Sequence, residues 1–300
     1  MGAMGLLVHV LAGWRSVSVA PMPLALITGA STGIGRASAL RLVGAGWTVL
    51  AGVRDPVAGE ALTAAASGPG QLTPLALDVT DAEEVQAAAT LVDEQGPGGL
   101  DALVNNAGTG IGGPLELLST DEVRRQFEVN VFGQIAVTNA LLPALRRARG
   151  RIVFVSSIGG RVAMAFTAPY AASKHAIEAI GDTLRVELHG SGVQVTLIEP
   201  GSVATPIWDK SRAEADRITI PPELSEQYGH VPAAMDKVLR DTARRGVPPE
   251  EVAATIERAL LAARMRSRYV VGRDARVMLT VRRLLPDHVF DRLARRVLGV

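Results

Sequence analysis

Two short groups of residues in this 300-residue chain have types and spacings that could support chemistry. The first is the glycine-rich segment TGASTGIG (residues 28–35), which follows an apolar run and precedes an Ala- and Leu-rich stretch. Glycines at a strand-to-helix turn let the backbone approach a pyrophosphate, and the helix N-terminus then faces the phosphates. The second is Tyr170 with Lys174, whose spacing places both side chains on one face of a predicted helix. Each pattern alone is weak, because tight turns commonly use glycine and Tyr-x-x-x-Lys also arises by chance.

Polar residues follow three of the predicted strands. Asp78 closes the third, the segment NNAG (residues 105–108) follows the fourth, and Ser157 follows the fifth. Ligands of open α/β sheets bind at the carboxyl ends of the strands, so these positions are candidates for ligand contact. Asn and Asp are also common turn formers, which leaves a structural role open for each of them taken singly.

The elements that must position these residues are short aliphatic runs alternating with stretches of helical period. In one stretch Val85, Ala88, Ala89 and Val92 recur at i, i+3, i+4 and i+7, the stripe of a helix lying on a sheet. Continuously apolar strands indicate burial on both faces. We therefore predict one α/β domain of the Rossmann type, with a doubly wound, mostly parallel seven-stranded sheet and helices on both faces. The predicted strands are Leu24–Ile27, Thr48–Ala51, Leu75–Leu77, Ala102–Val104, Ile152–Val155, Val193–Ile198 and Tyr269–Val271.

Capping boxes mark where two of the helices begin. In this motif a Ser or Thr side chain bonds the amide three residues on, and a Glu at that position bonds back. Thr80 with Glu83 and Ser119 with Glu122 fit the pattern. We therefore predict helix starts directly after Thr80 and Ser119.

The chain divides into one domain with three special segments. Residues 1–21 carry an apolar stretch with no basic segment ahead of it, unlike a secretory signal, and we expect a dispensable extension, with a weak membrane or partner contact as the alternative. The domain is predicted over residues 22–275. Within it the proline-rich stretch 206–248 interrupts the alternation, and long insertions of this kind commonly form lids or binding loops. Residues 276–300 are Arg-rich and amphipathic, which predicts a basic tail.

Composition excludes several classes of function. The chain has no cysteine, so disulfide scaffolds, thiolate metal sites and Cys nucleophiles are excluded. Lys+Arg number 31 against 30 Asp+Glu, a net charge of +1 that lacks the basic excess of a nucleic-acid-binding protein. No run of 18 or more apolar residues occurs, so we predict no membrane-spanning helix.

Taken in order, the motifs resemble those of the short-chain dehydrogenase/reductase family, in its common single-domain form. The matching segments are TGASTGIG, LDV, NNAG, VNVFG, SSIGG, YAASK and EPGSVAT. They span residues 24–206, and a family-like helix and strand follow the insertion, so the resemblance covers most of the chain. Seven ordered motifs are far more specific than any one of them. The resemblance implies a nicotinamide dinucleotide cofactor and no metal.

The resemblance also implies catalytic roles for four residues. Tyr170 would be the general acid in carbonyl reduction and the base in alcohol oxidation. Because an ordinary tyrosine has a pKa near 10, the charge of Lys174 would favour the phenolate, and Lys174 would also bind the nicotinamide ribose. Ser157 would polarise the substrate oxygen, and Asn130 would hold a water that connects Lys174 to solvent. We assign His175, beside Lys174, to packing or the surface.

The end of the second strand decides between NAD and NADP. An acidic residue there binds the ribose 2′-hydroxyl, whereas Arg accommodates a 2′-phosphate. Val53 stands where NAD-using members have the acid and Arg54 follows it, which favours NADP(H). NAD(H) remains the alternative, because Thr32 is not basic and Asp55 could offset Arg54. The cofactor-binding residues implied are Gly29, Ser31, Thr32, Gly33, Ile34, Gly35, Arg54, Asp78, Val79, Asn105, Ala107, Gly108, Tyr170, Lys174, Pro200, Gly201, Val203 and Thr205.

The substrate class also follows from the resemblance. Residues 160–166 and the predicted lid are similar to those of members that act on steroids, retinoids and other apolar alcohols. Ile207, Trp208, Ile218 and Met235 are candidate lid contacts, although ordinary packing accounts for them equally well. We therefore predict an NADP(H)-preferring oxidoreductase that interconverts a primary or secondary alcohol and its aldehyde or ketone.

Two other functions and several partners remain open. The alternatives are a non-catalytic dinucleotide-binding sensor or scaffold, and an epimerase or dehydratase. Relatives pair through the helices predicted here near 121–148 and 170–188, so we expect a cytoplasmic homodimer or homotetramer. The basic tail is interpreted as a solvated face with a subunit contact, and contact with a membrane surface is its alternative.

Overall fold

The computed structural model describes residues 22–207 and 218–298. In this part of the chain seven strands form one sheet in the order β3-β2-β1-β4-β5-β6-β7, and every neighbouring pair is parallel. The sheet is therefore entirely parallel, and the predicted doubly wound α/β class is confirmed. The strands are β1 (Leu24–Ile27), β2 (Thr48–Val53), β3 (Gln71–Ala76), β4 (Ala102–Asn105), β5 (Arg151–Val155), β6 (Gln194–Pro200) and β7 (Arg268–Val271).

Helices connect the strands and cover both faces of the sheet. Among the helices in the described ranges, none combines the length and apolar character needed to cross a bilayer. A one-turn helix, Ser225–Tyr228, lies in the predicted lid. The longer helices are α1 (Gly33–Gly44), α2 (Pro56–Ala65), α3 (Ala82–Gln95), α4 (Thr120–Phe127), α5 (Gln134–Ala148), α6 (Ala168–Glu187), α7 (Val231–Arg245), α8 (Pro249–Leu261), α9 (Arg273–Leu284) and α10 (Asp287–Leu298).

The sheet separates two apolar cores. Alternate residues of a strand point to opposite faces, so Leu24 and Leu26 of β1 join a core with residues of α3, α5 and α6. Ala25 and Ile27 join a second core with residues of α1, α2 and α8. All four are buried, which explains why the strand is apolar throughout instead of alternating with polar residues.

The third strand differs most from its prediction. The sequence predicts Leu75–Leu77, whereas β3 begins four residues earlier, at Gln71, and ends at Ala76. Six residues pair in register with β2, and this pairing extends the strand beyond its short apolar run. β3 lies at the edge of the sheet, where a strand can be half-exposed and can accommodate Pro74.

One of the two predicted capping boxes is confirmed and the other is wrong. The Ser119 hydroxyl accepts a hydrogen bond from the Glu122 amide at 3.2 Å, and the Glu122 carboxylate accepts from the Ser119 amide at 2.7 Å. α3 is capped by Asp81 and not by Thr80, because the Asp81 carboxylate accepts from the Glu83 amide at 2.8 Å. Asp is the stronger capping residue of the two, so the helix begins one position later.

The long helix predicted near 121–148 is interrupted. A π-helical segment, Glu128–Gly133, joins α4 to α5. π turns inside helices are rare and occur frequently at functional sites. Asn130 lies in this segment and is completely buried.

Helices form much of the described part of the predicted lid and of the tail. α7 occupies much of the 206–248 stretch, while Trp208 and the extension 1–21 lie outside the described residues. The predicted tail boundary at residue 276 falls inside α9, so the tail consists of helices α9 and α10. Both helices leave large apolar side chains exposed, among them Val277 and Leu284.

Candidate active site

A cavity of about 680 Å³ opens along the carboxyl ends of the strands, where ligands of open α/β sheets bind. Its wall brings together the glycine turn, the ends of five strands, the start of α6 and three residues of the lid region, Pro206, Ile207 and Met235. The predicted site residues in this wall are Gly29, Ser31, Thr32, Gly33, Ile34, Arg54, Asp78, Val79, Ala107, Gly108, Ser157, Tyr170, Lys174, Pro200, Gly201, Val203 and Thr205.

Three predicted site residues lie outside the cavity wall. Gly35 packs beneath the turn, where a Cβ atom would stand 2.3 Å from the Gly29 carbonyl oxygen. Asn105 is fully buried at the end of β4, and its amide donates to the Thr138 hydroxyl at 2.9 Å, so its side chain faces α5 and not the cavity. Asn130 is buried behind the wall. The Asn105 side chain is thus engaged with α5, and contact between Asn105 and the cofactor stays a prediction.

Asn106, which the motif contained but no predicted contact used, holds the glycine turn against β4. Its side-chain amide donates to the carbonyl oxygens of Thr28 and Gly29, both at 3.0 Å. The Thr28 hydroxyl in turn accepts from the backbone amides of Asn106 and Ala107, at 3.0 and 2.9 Å. Gly29 has a φ of +65°, which favours glycine. The doubled Asn of NNAG was the available sequence signal, but sequence alone does not show which Asn faces the turn.

The residues around the turn fit a dinucleotide pyrophosphate. The first turn of α1, all of it within the described residues, contains no acidic side chain, and Thr32 at its N-cap makes no side-chain cap. The amides at this helix end are thus not satisfied by a capping side chain, and the helix dipole favours a negative group there. Gly33, with a φ of +55°, and Thr205 approach each other beside them. The backbone amides at the start of α1, together with Gly33 and Thr205, would hold the phosphates.

The end of β2 presents Arg54 to the cavity. Its side chain is 68% exposed, and one guanidinium nitrogen lies 3.7 Å from a carboxylate oxygen of Asp78. Asp55 is engaged elsewhere, because its carboxylate caps α2 by accepting from the Val57 amide at 3.0 Å. Burial alone would raise the pKa of Asp78, but hydrogen bonds from Thr80 and the charge of Arg54 hold it below its usual range. The ionised Asp78 carboxylate and the Arg54 guanidinium therefore lie close together at the cavity rim.

Tyr170, Lys174 and Ser157 lie together in the part of the cavity wall formed by α6 and the end of β5. α6 carries the first two, and the Lys174 ammonium lies 5.9 Å from the centre of the Tyr170 ring. The Lys174 Nζ donates to the Val155 carbonyl at 2.8 Å, which fixes its position beside the end of β5. The Ser157 hydroxyl follows β5 and accepts from the Gly159 amide at 3.0 Å.

Burial shifts both ionisable groups toward their neutral forms. It raises the pKa of Tyr170, and interaction with the Ser157 side chain acts in the opposite direction. It lowers the pKa of Lys174 from 10.5 to about 8, while the charge of Glu178 acts to raise it. The lysine is therefore mainly charged at neutral pH, and a charged lysine favours ionisation of the nearby phenol.

Asn130 joins α6 to the loop after β4. Its side chain accepts from the Thr109 amide at 2.8 Å and donates to the Thr109 carbonyl at 3.0 Å. It also donates to the Ser173 hydroxyl at 3.1 Å, and that hydroxyl donates to the Tyr170 carbonyl at 2.7 Å. Asn130 thus braces α6 beside the tyrosine. His175 is exposed, as predicted, with its Nδ1 atom 2.8 Å from the Ala171 carbonyl oxygen.

The lid region packs on the segment that follows NNAG. A Cβ atom at Gly112 would stand 3.0 Å from the Met235 side chain, and one at Gly113 would stand 2.3 Å from the Ile218 side chain. The Gly113 amide donates to the carbonyl of Phe166 at 2.8 Å, and Phe166 adopts a left-handed φ of +65°. Such strained residues cluster at ligand sites. Of the two residues named from sequence, Met235 lines the cavity, while Ile218 packs beside Gly113.

Several cavity residues were missed by the sequence reasoning. Ile111 is buried at the lid side, and Val129, Arg125 and Glu128 come from α4 and the π-helical segment. The positions of Arg125, Glu128 and Val129 depend on the π turn, which no residue pattern in the sequence predicts.

Comparison with known proteins identifies the class to which this fold and site belong. Residues 23–216 match the family model described as short chain dehydrogenase. The chain is 40% identical over 277 residues to retinol dehydrogenase 5 of Mus musculus, covering 88% of this chain and 85% of that protein. It is 34% identical over 278 residues to an NADPH-dependent 3-dehydrocapnine reductase of Ornithobacterium rhinotracheale, covering 91% and 96%.

A solved structure gives the same result for the fold. A short-chain dehydrogenase/reductase from Burkholderia phymatum, in complex with NAD, superimposes with a TM-score of 0.75 at 26% identity, covering 87% of this chain and 93% of that one. The chain belongs to the short-chain dehydrogenase/reductase family. It is an NAD(P)-dependent oxidoreductase.

Proposed function

We propose that this protein interconverts an apolar alcohol and its ketone or aldehyde, preferentially with NADP(H). The observation that carries the proposal is the meeting of Tyr170, Ser157 and Lys174 in the wall of one cavity that also contains the glycine turn. A non-catalytic sensor would not need an ionisable tyrosine next to a buried lysine, so this arrangement favours the enzyme over that alternative.

The proton chemistry belongs to Tyr170. In the reducing direction its hydroxyl gives a proton to the substrate oxygen, and in the oxidising direction its phenolate takes the alcohol proton. Lys174 lowers the energy of the phenolate by its charge, and Ser157 donates a hydrogen bond to the substrate oxygen. The nicotinamide cofactor, when bound, supplies or accepts the hydride.

The preference for NADP(H) rests on Arg54. It stands at the rim of the cavity, where a guanidinium accommodates a ribose 2′-phosphate. Asp55, the residue that could have offset it, is occupied as the N-cap of α2. The name of the relative from Ornithobacterium rhinotracheale, which describes it as NADPH-dependent, is consistent with this preference.

The apolar substrate rests on the lid side of the cavity. Ile111, Ile207 and Met235 line it there, and Gly112 leaves space for the lid to approach. An apolar wall with a small number of polar groups is the common form of a small-molecule site. Retinol dehydrogenase 5, 40% identical to this chain, is named for an apolar alcohol.

Cofactor selection is tested by titrating the purified protein with NADPH and NADH and following nicotinamide fluorescence. We expect tighter binding of NADPH, and Arg54→Gln should weaken it at least about tenfold, since hydrogen bonds to charged groups contribute about 1.5–3 kcal/mol. NADH binding should change little. Equal weakening of both cofactors would contradict the proposed selection.

Turnover is tested with a panel of apolar ketones, aldehydes and alcohols, retinol among them, by following NADPH absorbance. Tyr170→Phe should abolish turnover of any active substrate while cofactor binding persists. The matched control is Tyr269→Phe, because Tyr269 lies on β7 and is absent from the cavity wall among the described residues. Activity of Tyr170→Phe close to that of the wild type would overturn the proposed mechanism.

A further inference from the structure

A buried cluster of charges lies behind the catalytic wall. Glu178 of α6 and Glu199 of β6 are almost completely buried, with side chains 6% and 1% exposed. Arg268 of β7 joins them: its Nε atom lies 2.9 Å from a carboxylate oxygen of each. A terminal guanidinium nitrogen of Arg268 reaches the more exposed Asp182 at 2.7 Å, and Arg161 reaches Glu199 at 3.2 Å.

The cluster adjoins both catalytic elements of the wall. Glu178 follows Lys174 by one helical turn, so the two side chains lie on the same face of α6. Glu178 also packs under the turn that carries Ser157. A Cβ atom at Gly160 in that turn would stand 2.9 Å from Glu178 Cγ, from the Lys174 carbonyl oxygen and from the Ser156 hydroxyl.

Burying this cluster is energetically unfavourable if its only role is to stabilise the fold. Within the described residues, one carboxylate oxygen of Glu178 and one of Glu199 are buried without a hydrogen-bond partner. Replacing buried ion pairs by well-packed apolar residues is often neutral or stabilising, so a buried pair alone is weak evidence for a stabilising role. Burial and the charge of Glu178 raise the pKa of Glu199. Within the pair, Glu178 is the residue that lies one helical turn from Lys174.

Other charged groups lie on the elements packed against α6. Among them, the carboxylate of Glu199 from β6 and the guanidinium groups of Arg161 and Arg268 belong to the cluster itself. The remaining ones are Asp121, Glu122, Arg124 and Arg125 of α4, Glu128 of the π-helical segment and His189 after α6, all of them exposed or half-exposed. Glu178 is the group whose charge favours the ammonium form of Lys174.

We propose that Glu178, fixed by Arg268, is a positioning residue that keeps the buried Lys174 in its ammonium form. This inference rests on the proposed function, in which the charge of Lys174 favours ionisation of Tyr170. Arg268 belongs to the C-terminal strand, so the proposal links β7, the strand farthest from the glycine turn in sequence, to the proton-transferring residue.

A direct test is titration of the lysine side chains by NMR. The chain has three lysines, Lys174, Lys210 and Lys237, and the signal missing in Lys174→Met identifies the buried one. In Glu178→Gln, the Lys174 pKa should fall below its wild-type value, with the protonation equilibrium changed about tenfold, the size typical of a lost opposite charge nearby. Asp182→Asn is the matched control, since it removes a partner of Arg268 two turns away from Lys174, and should leave the titration unchanged. The same titration curve in Glu178→Gln and the wild type would overturn the proposal.

A second test follows carbonyl reduction across pH. Because reduction needs charged Lys174, the rate of reduction should fall as pH rises through the lysine pKa. This high-pH limb of the rate profile should lie at lower pH in Glu178→Gln than in the wild type. Activity of the variant should recover on acidification, a behaviour that a merely structural defect would not produce. An unshifted limb would contradict the inference.

The two proposals fail in distinguishable ways. A shifted lysine titration without turnover of any alcohol or carbonyl would refute the proposed function and leave the inference intact. Turnover with an unshifted titration would refute the inference alone. If Glu178→Gln does not fold, Glu178→Asp provides the test, because it keeps the charge but withdraws it by one methylene. Its Lys174 pKa should lie below the wild-type value, and no change there would overturn the proposal.

Discussion

Replacing Lys174 with Met is expected to stabilise the folded protein while abolishing its activity. The lysine is 5% exposed, and burial lowers its pKa from 10.5 to about 8. At about 1.4 kcal/mol per pKa unit, holding this ammonium in the folded chain costs about 3 kcal/mol at neutral pH. Met has a similar length and no charge. Its substitution forfeits the hydrogen bond from the charged ammonium to the Val155 carbonyl, about 2 kcal/mol, so the net stabilisation is about 1 kcal/mol.

Urea unfolding at pH 7 measures this difference, with Lys237→Met as the control. Lys237 is exposed on α7, and its substitution should change the free energy of unfolding by less than about 0.5 kcal/mol. The cofactor must be absent, because a ligand bound to the folded state would add its own stabilisation.

The pH dependence of the difference in unfolding free energy provides a second check on its sign. Below pH 8 the folded lysine is charged and the full cost applies. Between pH 8 and 10.5 the unfolded chain binds more protons than the folded chain, so wild-type stability rises with pH relative to the variant. The advantage of Lys174→Met should therefore shrink over this window and vanish near its upper end. A destabilised variant at pH 7, or a difference that does not vary with pH, would refute the assigned cost.

Three further changes test the parts of the fold that position the site. Gly35→Val should abolish cofactor binding and lower stability, because a Cβ atom there meets the Gly29 carbonyl oxygen at 2.3 Å; fluorescence titration and thermal unfolding measure both effects. Ser119→Ala should cost about 1 kcal/mol through loss of the capping box at α4, measurable by urea unfolding, and an unchanged midpoint would contradict the assignment of that cap. Val186→Arg should reduce the oligomer expected through α6, since Val186 is 74% exposed on that helix; light scattering after size exclusion would show a smaller particle, and an unchanged mass would exclude this face from the subunit contact.

The strands of the buried part of the sheet are predicted well by local pattern. β1 has the predicted bounds, since its apolar run is flanked by breaks in the pattern and is covered on both faces. β3 is predicted poorly for a physical reason: an edge strand needs no continuous apolar run, and its length is set by pairing with β2. The π turn that carries Asn130 has no local signal, because the residues around it are compatible with a regular helix.

The site shows the same division between local and distant causes. Motifs place Tyr170, Lys174 and Ser157 in one cavity because each motif fixes a strand end or a helix face. They do not predict that Asn105 faces the core while Asn106 holds the glycine turn, since that depends on which way the chain leaves β4. The pairing of Arg268 with Glu178 joins residues 90 positions apart and has no sequence period.

The charges of Tyr170 and Lys174 cannot be explained by α6 alone. Burial raises the pKa of Tyr170 and lowers that of Lys174, so a helix carrying only these two residues would tend to hold both of them neutral. A neutral lysine gives the phenol no electrostatic assistance. A fixed negative charge within one turn of the lysine opposes this tendency, and that charge must itself be paired to remain buried. Glu178 and Arg268 meet these two requirements, and for this reason the Tyr-x-x-x-Lys motif depends on a strand that lies far beyond it in the sequence.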